Sequence, residues 1–277
     1  MARVGFFESS LKAGASLAMK KLMDAFFMKK TYLFALFVLF ATATFGQKKF
    51  TDEELFLPHF SLQLGYHFPE GDMASRFGNC GSVGAAFQIK TKKNFYFGLE
   101  SGYLFGNTVR EPGLIQNLFT DAGEVLDVEG KIAVVSIQQR GVTALLTGGK
   151  LFDFIGPNPN SGLLVKAGVG FMQHKIRLEH RENRIPQLED EYLKGYDRLT
   201  NGLAISQFVG YYHLSNNRLT NFYFGFEVVE GFTQGRRTFN FDTMTVDNAK
   251  RLDILYGARL GWVIPVYKRP PEDVYYY

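Results

Sequence analysis

The chain has 277 residues, of which 46% are hydrophobic and 16% aromatic, with a formal net charge of +4. Residues 1–46 hold six of the 31 basic residues and two of the 27 acidic ones, which leaves 25 of each in the remainder. A neutral remainder gives no electrostatic reason for a nucleic-acid partner, and a single cysteine, Cys80, excludes an internal disulfide and a thiolate metal site.

Near the N-terminus, Met28-Lys29-Lys30 is a basic opening, Tyr32–Phe40 an apolar run, and Thr44-Phe45-Gly46 a small-residue cleavage site before Gln47. That order is the pattern of a secretory signal peptide over 28–46. The apolar run is too short for a membrane helix. Residues 1–27 precede a complete signal and read as a mis-assigned start or a processed leader. Residues 47–57 form a polar lead-in.

From His59 the chain alternates. Phe60, Leu62, Leu64, Tyr66 and Phe68 oppose Ser61, Gln63, Gly65 and His67, and period two is the signature of a β-strand. After PEGDMASRFGN, Val83, Ala85, Phe87 and Ile89 oppose Ser82, Gly84, Ala86 and Gln88. A short turn leads into NFYFGLE at Asn94–Glu100, a phrase that returns as NFYFGFE at Asn221–Glu227. Both copies set large aromatics on one face against glycine and glutamate on the other. Such a strand suits lipid outside and a crowded polar lumen inside.

A long segment, 108–130, reads as a loop with a short helix or a lid. The fourth strand lies within 132–151, where Gln138, Gln139 and Arg140 break the alternation and mark either a bulge or the membrane boundary. DFIGPNPNSG is a reversal rich in turn residues. The fifth strand, about 163–180, sets Leu163, Val165, Ala167, Val169 and Phe171 outward; its later part, HKIRLEHR, is too charged for lipid and rises above it. The faces of the sixth strand, 203–214, are ambiguous. The seventh strand carries the second phrase to about Thr238, and the eighth opposes Leu252, Ile254, Tyr256, Ala258, Leu260, Trp262 and Ile264 to Asp253, Leu255, Gly257, Arg259 and Gly261.

Long polar connections follow the odd strands and shorter turns the even ones. A barrel with long extracellular loops and short periplasmic turns has that asymmetry, whereas a β-sandwich does not segregate loop length by end. Lipid-facing strands must close into a ring, because an open edge strands backbone donors and acceptors in hydrocarbon. The expected fold is therefore all-β, a closed antiparallel up-and-down transmembrane barrel of about eight strands over 58–267. The whole mature chain resembles small eight-stranded outer-membrane β-barrels of the OmpA/OmpX- or PorT-like kind, and the MKK…FGQ signal resembles those of Bacteroidota. The resemblance implies residence in the bacterial outer membrane and a lipid environment. KRPPEDVYYY, running past the last strand, departs from the usual aromatic ending of such barrels.

Inward-pointing Glu100, Glu227, Lys166, Arg259 and Asp253 are expected to form a polar network in the lumen, with the two glutamates on opposite walls. They read as a packed polar core, with a gated narrow channel as the alternative. An eight-stranded ring has room for side chains and none for a wide channel. A lipid-modifying enzyme would need a nucleophile beside a histidine; His174, His180, Glu179 and Glu182 gather on the upper fifth strand with no serine among them, and His174 reads as a solvated residue at its wet end. No catalytic residue, metal or cofactor is expected, since Glu189-Asp190-Glu191 lacks calcium-loop spacing. Pro270-Pro271 and Tyr275, Tyr276 and Tyr277 in the tail 268–277 suit docking onto a protein partner. The expected role is a non-enzymatic structural or accessory subunit of an envelope assembly, with surface adhesion as the competing reading.

Overall fold

The computed structural model describes residues 54–180, 184–215 and 220–266. The leader, the signal segment 28–46 and the tail with Pro270, Pro271 and Tyr275–Tyr277 lie outside the described residues, as does Glu182.

Eight long strands follow one another: β1 (Leu57–Gly71), β2 (Cys80–Lys90), β3 (Phe95–Gly106), β4 (Ser136–Phe152), β5 (Gly162–Glu179), β6 (Thr200–His213), β7 (Phe222–Gly235) and β8 (Lys250–Pro265). Each pairs antiparallel with its neighbours in sequence, and β1 pairs β8, His59 standing opposite Pro265, so the sheet closes on itself. The architecture is a transmembrane-type up-and-down barrel. Its interior alternates with its exterior along each strand, as the two-residue period demands.

The outward faces carry large apolar side chains open to the surroundings, among them Leu64, Phe97, Leu146, Leu203, Phe226 and Leu260. Phe226 is 77% exposed. A continuous apolar band of this kind is foreign to a water-facing surface and fits a hydrocarbon one. No described helix is long and apolar enough to cross a membrane.

Several expectations change at the element level. The β4 ladder runs one-to-one against β5 through Gln138, Gln139 and Arg140, and against β3 through Gln139 and Arg140, so no bulge lies there. Gln139 points inward and is buried, while Gln138 and Arg140 stand on the outward face. Strand β6 turns Leu203, Val209 and Tyr211 outward and Ala204, Ser206, Phe208 and Tyr212 inward. Its faces are hard to read from sequence because two inward positions are aromatic and one outward position is Gln207. The first connection, 72–79, is short rather than long and folds into α1 (Asp72–Arg76). Segment 107–135 forms a single 3₁₀ turn, Gln116–Leu118, and a small hairpin pairing Val125–Leu126 with Ile132–Ala133.

Two apolar clusters close the barrel. At the end where both barrel termini meet, Leu57, Tyr96, Leu151, Leu164, Tyr212 and Tyr223 pack together. At the other end the connections fold over the mouth, burying Met73, Phe77, Leu114, Ile185, Leu188 and Tyr196 against inward residues of the strands. A second short helix, α2 (Asp190–Leu193), belongs to that cap.

Candidate functional site

Between the two clusters lies the lumen, and its centre is charged. Arg259 on β8 sits opposite Gly65 on β1 and Gly225 on β7 in the two ladders. With no side chain on either flank, its guanidinium has room to reach across the barrel. A Cβ on Gly225 would come within 2.4 Å of the Gly210 Cα and 2.3 Å of the Val209 carbonyl oxygen, so glycine is required by close approach of the walls.

The Arg259 guanidinium donates to Glu100 at 2.6 Å and forms an ion pair with Glu227 at 2.5 Å, lying between carboxylates from opposite walls. Lys166 on β5 donates to the other Glu100 oxygen at 2.6 Å, where Gln88 joins at 2.8 Å and the Thr147 hydroxyl at 3.3 Å. The lysine ammonium also lies 5.0 Å from the Phe208 ring centre and 4.9 Å from that of Tyr223. Two carboxylates and two cations cancel. Charges this deeply buried persist only when paired and hydrogen-bonded, and the planar guanidinium supplies the fork that two carboxylates need.

Asp253, placed with this network on sequence grounds, belongs elsewhere. It lies nearer the capped end, where its carboxylate accepts from the Thr233 hydroxyl and meets His174 Nε2 at 2.8 Å. The reason is its position six residues before Arg259 on β8, which puts it several rungs up the barrel. His174 is correspondingly not a solvated residue at a wet strand end. It is 1% exposed, faces inward, and packs edge-on against Phe77 of the cap. A second inward pair, His67 Nε2 and the Ser82 hydroxyl at 2.8 Å, lies on β1 and β2. Sequence reasoning missed both pairs, although His67 and Ser82 were each assigned to the inward face.

The remaining sequence candidates stay apart. Glu179 pairs with Arg177 at 2.8 Å and Glu189 with Arg184 at 3.4 Å. Among the described residues no group of three or more His, Cys, Asp or Glu side chains is placed to hold a metal ion.

The cap is tied down by ion pairs. Arg76 of α1 reaches Glu111 at 2.6 Å, the Thr200 hydroxyl at 3.3 Å and Asp247 at 3.8 Å, and Asp247 also holds Arg251 at 2.6 Å. The Asp72 carboxylate accepts the backbone N–H of Leu252 at 2.7 Å. Arg237 pairs with Asp197 and Arg198 with Asp242, joining connection 180–199 to connection 236–249. The Asp197 hydrogen bond and charge raise the Arg237 guanidinium further above its ordinary range. A cleft of about 340 Å³ opens between these connections, lined by Glu191, Lys194, Arg236, Arg237, Phe239 and Phe241.

No family model matches this chain, and no curated protein matches it. Among solved structures it is similar to Neisserial surface protein A (TM-score 0.38, 7% identity, covering 74% of this chain and 96% of that one). It is also similar to Ail, the attachment invasion locus protein of Yersinia pestis, solved in complex with the heparin analogue sucrose octasulfate (TM-score 0.34, 10% identity, 74% and 99%). A third is the outer membrane protein OprG from Pseudomonas aeruginosa (TM-score 0.32, 12% identity, 78% and 99%). The likeness is one of barrel shape alone, and the eight-stranded ring is read from this chain's own ladders.

Proposed function

We propose that this protein is an exported, non-enzymatic barrel of the bacterial outer membrane whose lumen stays closed and whose outer connections bind a protein partner, as an accessory subunit of a cell-envelope assembly. The observation that carries the reading is a division of labour between inside and outside. The interior is filled, with apolar clusters at both ends and a neutral four-charge network between them. The connections at one end, by contrast, are folded and present apolar side chains to water: Val134 at 79%, Tyr192 at 63%, and also Val128, Ile132, Met244 and Val246. Water-exposed apolar groups on an ordered, ion-paired scaffold are the chemistry of a protein contact.

Catalysis has little to stand on. His174 is enclosed under the cap with an aspartate and a threonine, away from any lipid-facing surface. His67 with Ser82 is likewise turned into the lumen.

Photo-crosslinking in cells tests the proposal, with a photoreactive residue placed at Tyr192, at Val134 and, as a control, at lipid-facing Phe226. A discrete protein adduct from the first two positions and none from the third is the expected result. Adducts absent at Tyr192 and Val134 while the barrel is folded and exported would overturn it. Incubating the purified protein with lipid A is expected to leave the lipid mass unchanged; a mass shift would restore the enzyme reading.

A further inference from the structure

Two stretches that interrupt the apolar alternation in the sequence turn out to be neighbours. In the β4–β5 ladder Arg140 stands directly opposite Lys175, and Gln138 directly opposite Arg177. All four lie on the outward face, in line with Val142, Ala144 and Leu146 on β4 and with Val169 and Phe171 on β5. The cations therefore sit on the barrel wall at the upper edge of the apolar band, not on a loop.

Like charges directly opposite one another on one face of an antiparallel pair destabilise it. Here only Arg177 is neutralised, by Glu179 at 2.8 Å. Arg140 donates to two uncharged acceptors, the Gln138 side-chain oxygen and the Gln139 carbonyl. Among the described residues neither Arg140 nor Lys175 has a carboxylate partner. On the other flank Arg140 faces Phe105 of β3, which is exposed. An uncompensated pair of cations next to lipid-facing aromatics is a surface that an anion with an apolar body would complete.

We propose that this face of β4 and β5 binds the phosphate of a phosphorylated glycolipid lying in the same membrane leaflet. The phosphate would sit between the guanidinium of Arg140, which can give it two parallel N–H donors, and the ammonium of Lys175. The acyl chains would run down the wall over Val142 and Phe171. That wall selects a lipid-borne phosphate over a free one, because only a lipid covers the apolar rungs below the cations. The inference rests on the membrane reading above, with the capped end facing outward.

The test uses the full chain, folded in detergent and examined by native mass spectrometry with three probes: diphosphorylated lipid A, the same lipid after phosphatase treatment, and inorganic phosphate. The diphosphorylated lipid should be retained, with retention lower by about tenfold or more for the dephosphorylated lipid and none for inorganic phosphate. An Arg140→Gln, Lys175→Gln protein should lose the lipid by a similar factor while remaining heat-modifiable on a gel, which certifies the barrel. Lys150→Gln removes an outward cation at the opposite end of β4, over the Phe95 and Phe152 rings, and should leave retention unchanged. Equal retention of both lipids, undiminished retention by the double variant, equal loss in Lys150→Gln, or phosphate held as well as lipid would each overturn the site. A wild-type protein that fails to insert into phospholipid vesicles would overturn the membrane reading itself, whereas one that inserts and ignores the phosphate refutes the site alone.

Discussion

Arg259 is the residue on which the interior turns. It lies between two glutamates from opposite walls, and its flanking positions in both ladders are glycine. Replacing it by glutamine would leave Glu227 buried with no cation and Glu100 with Lys166 alone. Breaking a buried ion pair from one side costs about 3–5 kcal/mol, so Arg259→Gln should lower the urea-unfolding stability by roughly that amount. Glu227→Gln should cost less, about 1 kcal/mol, because Arg259 keeps Glu100 and a neutral amide leaves no buried charge unpaired at position 227. In the double variant the two costs should fall short of their sum, since the orphaned carboxylate is gone. Additive losses would show that Arg259 and Glu227 do not act on each other.

Strands and connections carry a second set of outcomes. Gly225 lets β6 and β7 approach beside Arg259; a Gly225→Val protein must push against the Val209 carbonyl and Gly210, and should fold into the heat-modifiable form in lower yield than wild type. The connection 236–249 is held to the barrel through Asp247. Burial alone would raise the Asp247 carboxyl, but the hydrogen bonds and charge of Arg251, the Ala249 backbone N–H and the charge of Arg76 outweigh it and hold the group below its ordinary value. A carboxyl lowered by folding stabilises the folded cap at pH values above its unfolded pKa of about 3.9, and that stabilisation is lost as the pH falls through the lower folded value. Pepsin should therefore cut 236–249 increasingly as the pH drops from about 4 toward 2. Asp247→Asn should be cut readily across the whole window; an unchanged cleavage profile would sink the role given to Asp247.

At the scale of the whole molecule, a closed barrel with both mouths filled should conduct no ions. In planar bilayers the wild-type protein is expected to show no resolved conductance steps, and a Glu100→Gln, Glu227→Gln protein none either, because the apolar clusters at the two ends remain. Steps that appear only in the variant would revive the gate. With the interior neutral and filled, the exposed chemistry lies in the cap and in the cation row on β4 and β5.

How much of this was legible in the sequence follows from the range of the forces involved. Side-chain direction alternates along a strand by local geometry, so the outward aromatics of both NFYFG phrases, the glycine and glutamate opposite them, and the faces of β1, β2, β5 and β8 could be read residue by residue. Turn chemistry and loop asymmetry gave the ring its order. Register between strands and heights across the lumen are not local properties. They decide that Arg259 meets both glutamates, that Asp253 instead meets His174 beneath the cap, and that Arg140 meets Lys175 on the wall. The sequence by itself determined which side of the barrel the residues of the cleanly alternating strands face, because the pleat dictates it; on β4 and β6, where polar residues face outward and aromatics inward, it did not. Only the tertiary structure decided which of those residues touch, because that depends on how the ring closes.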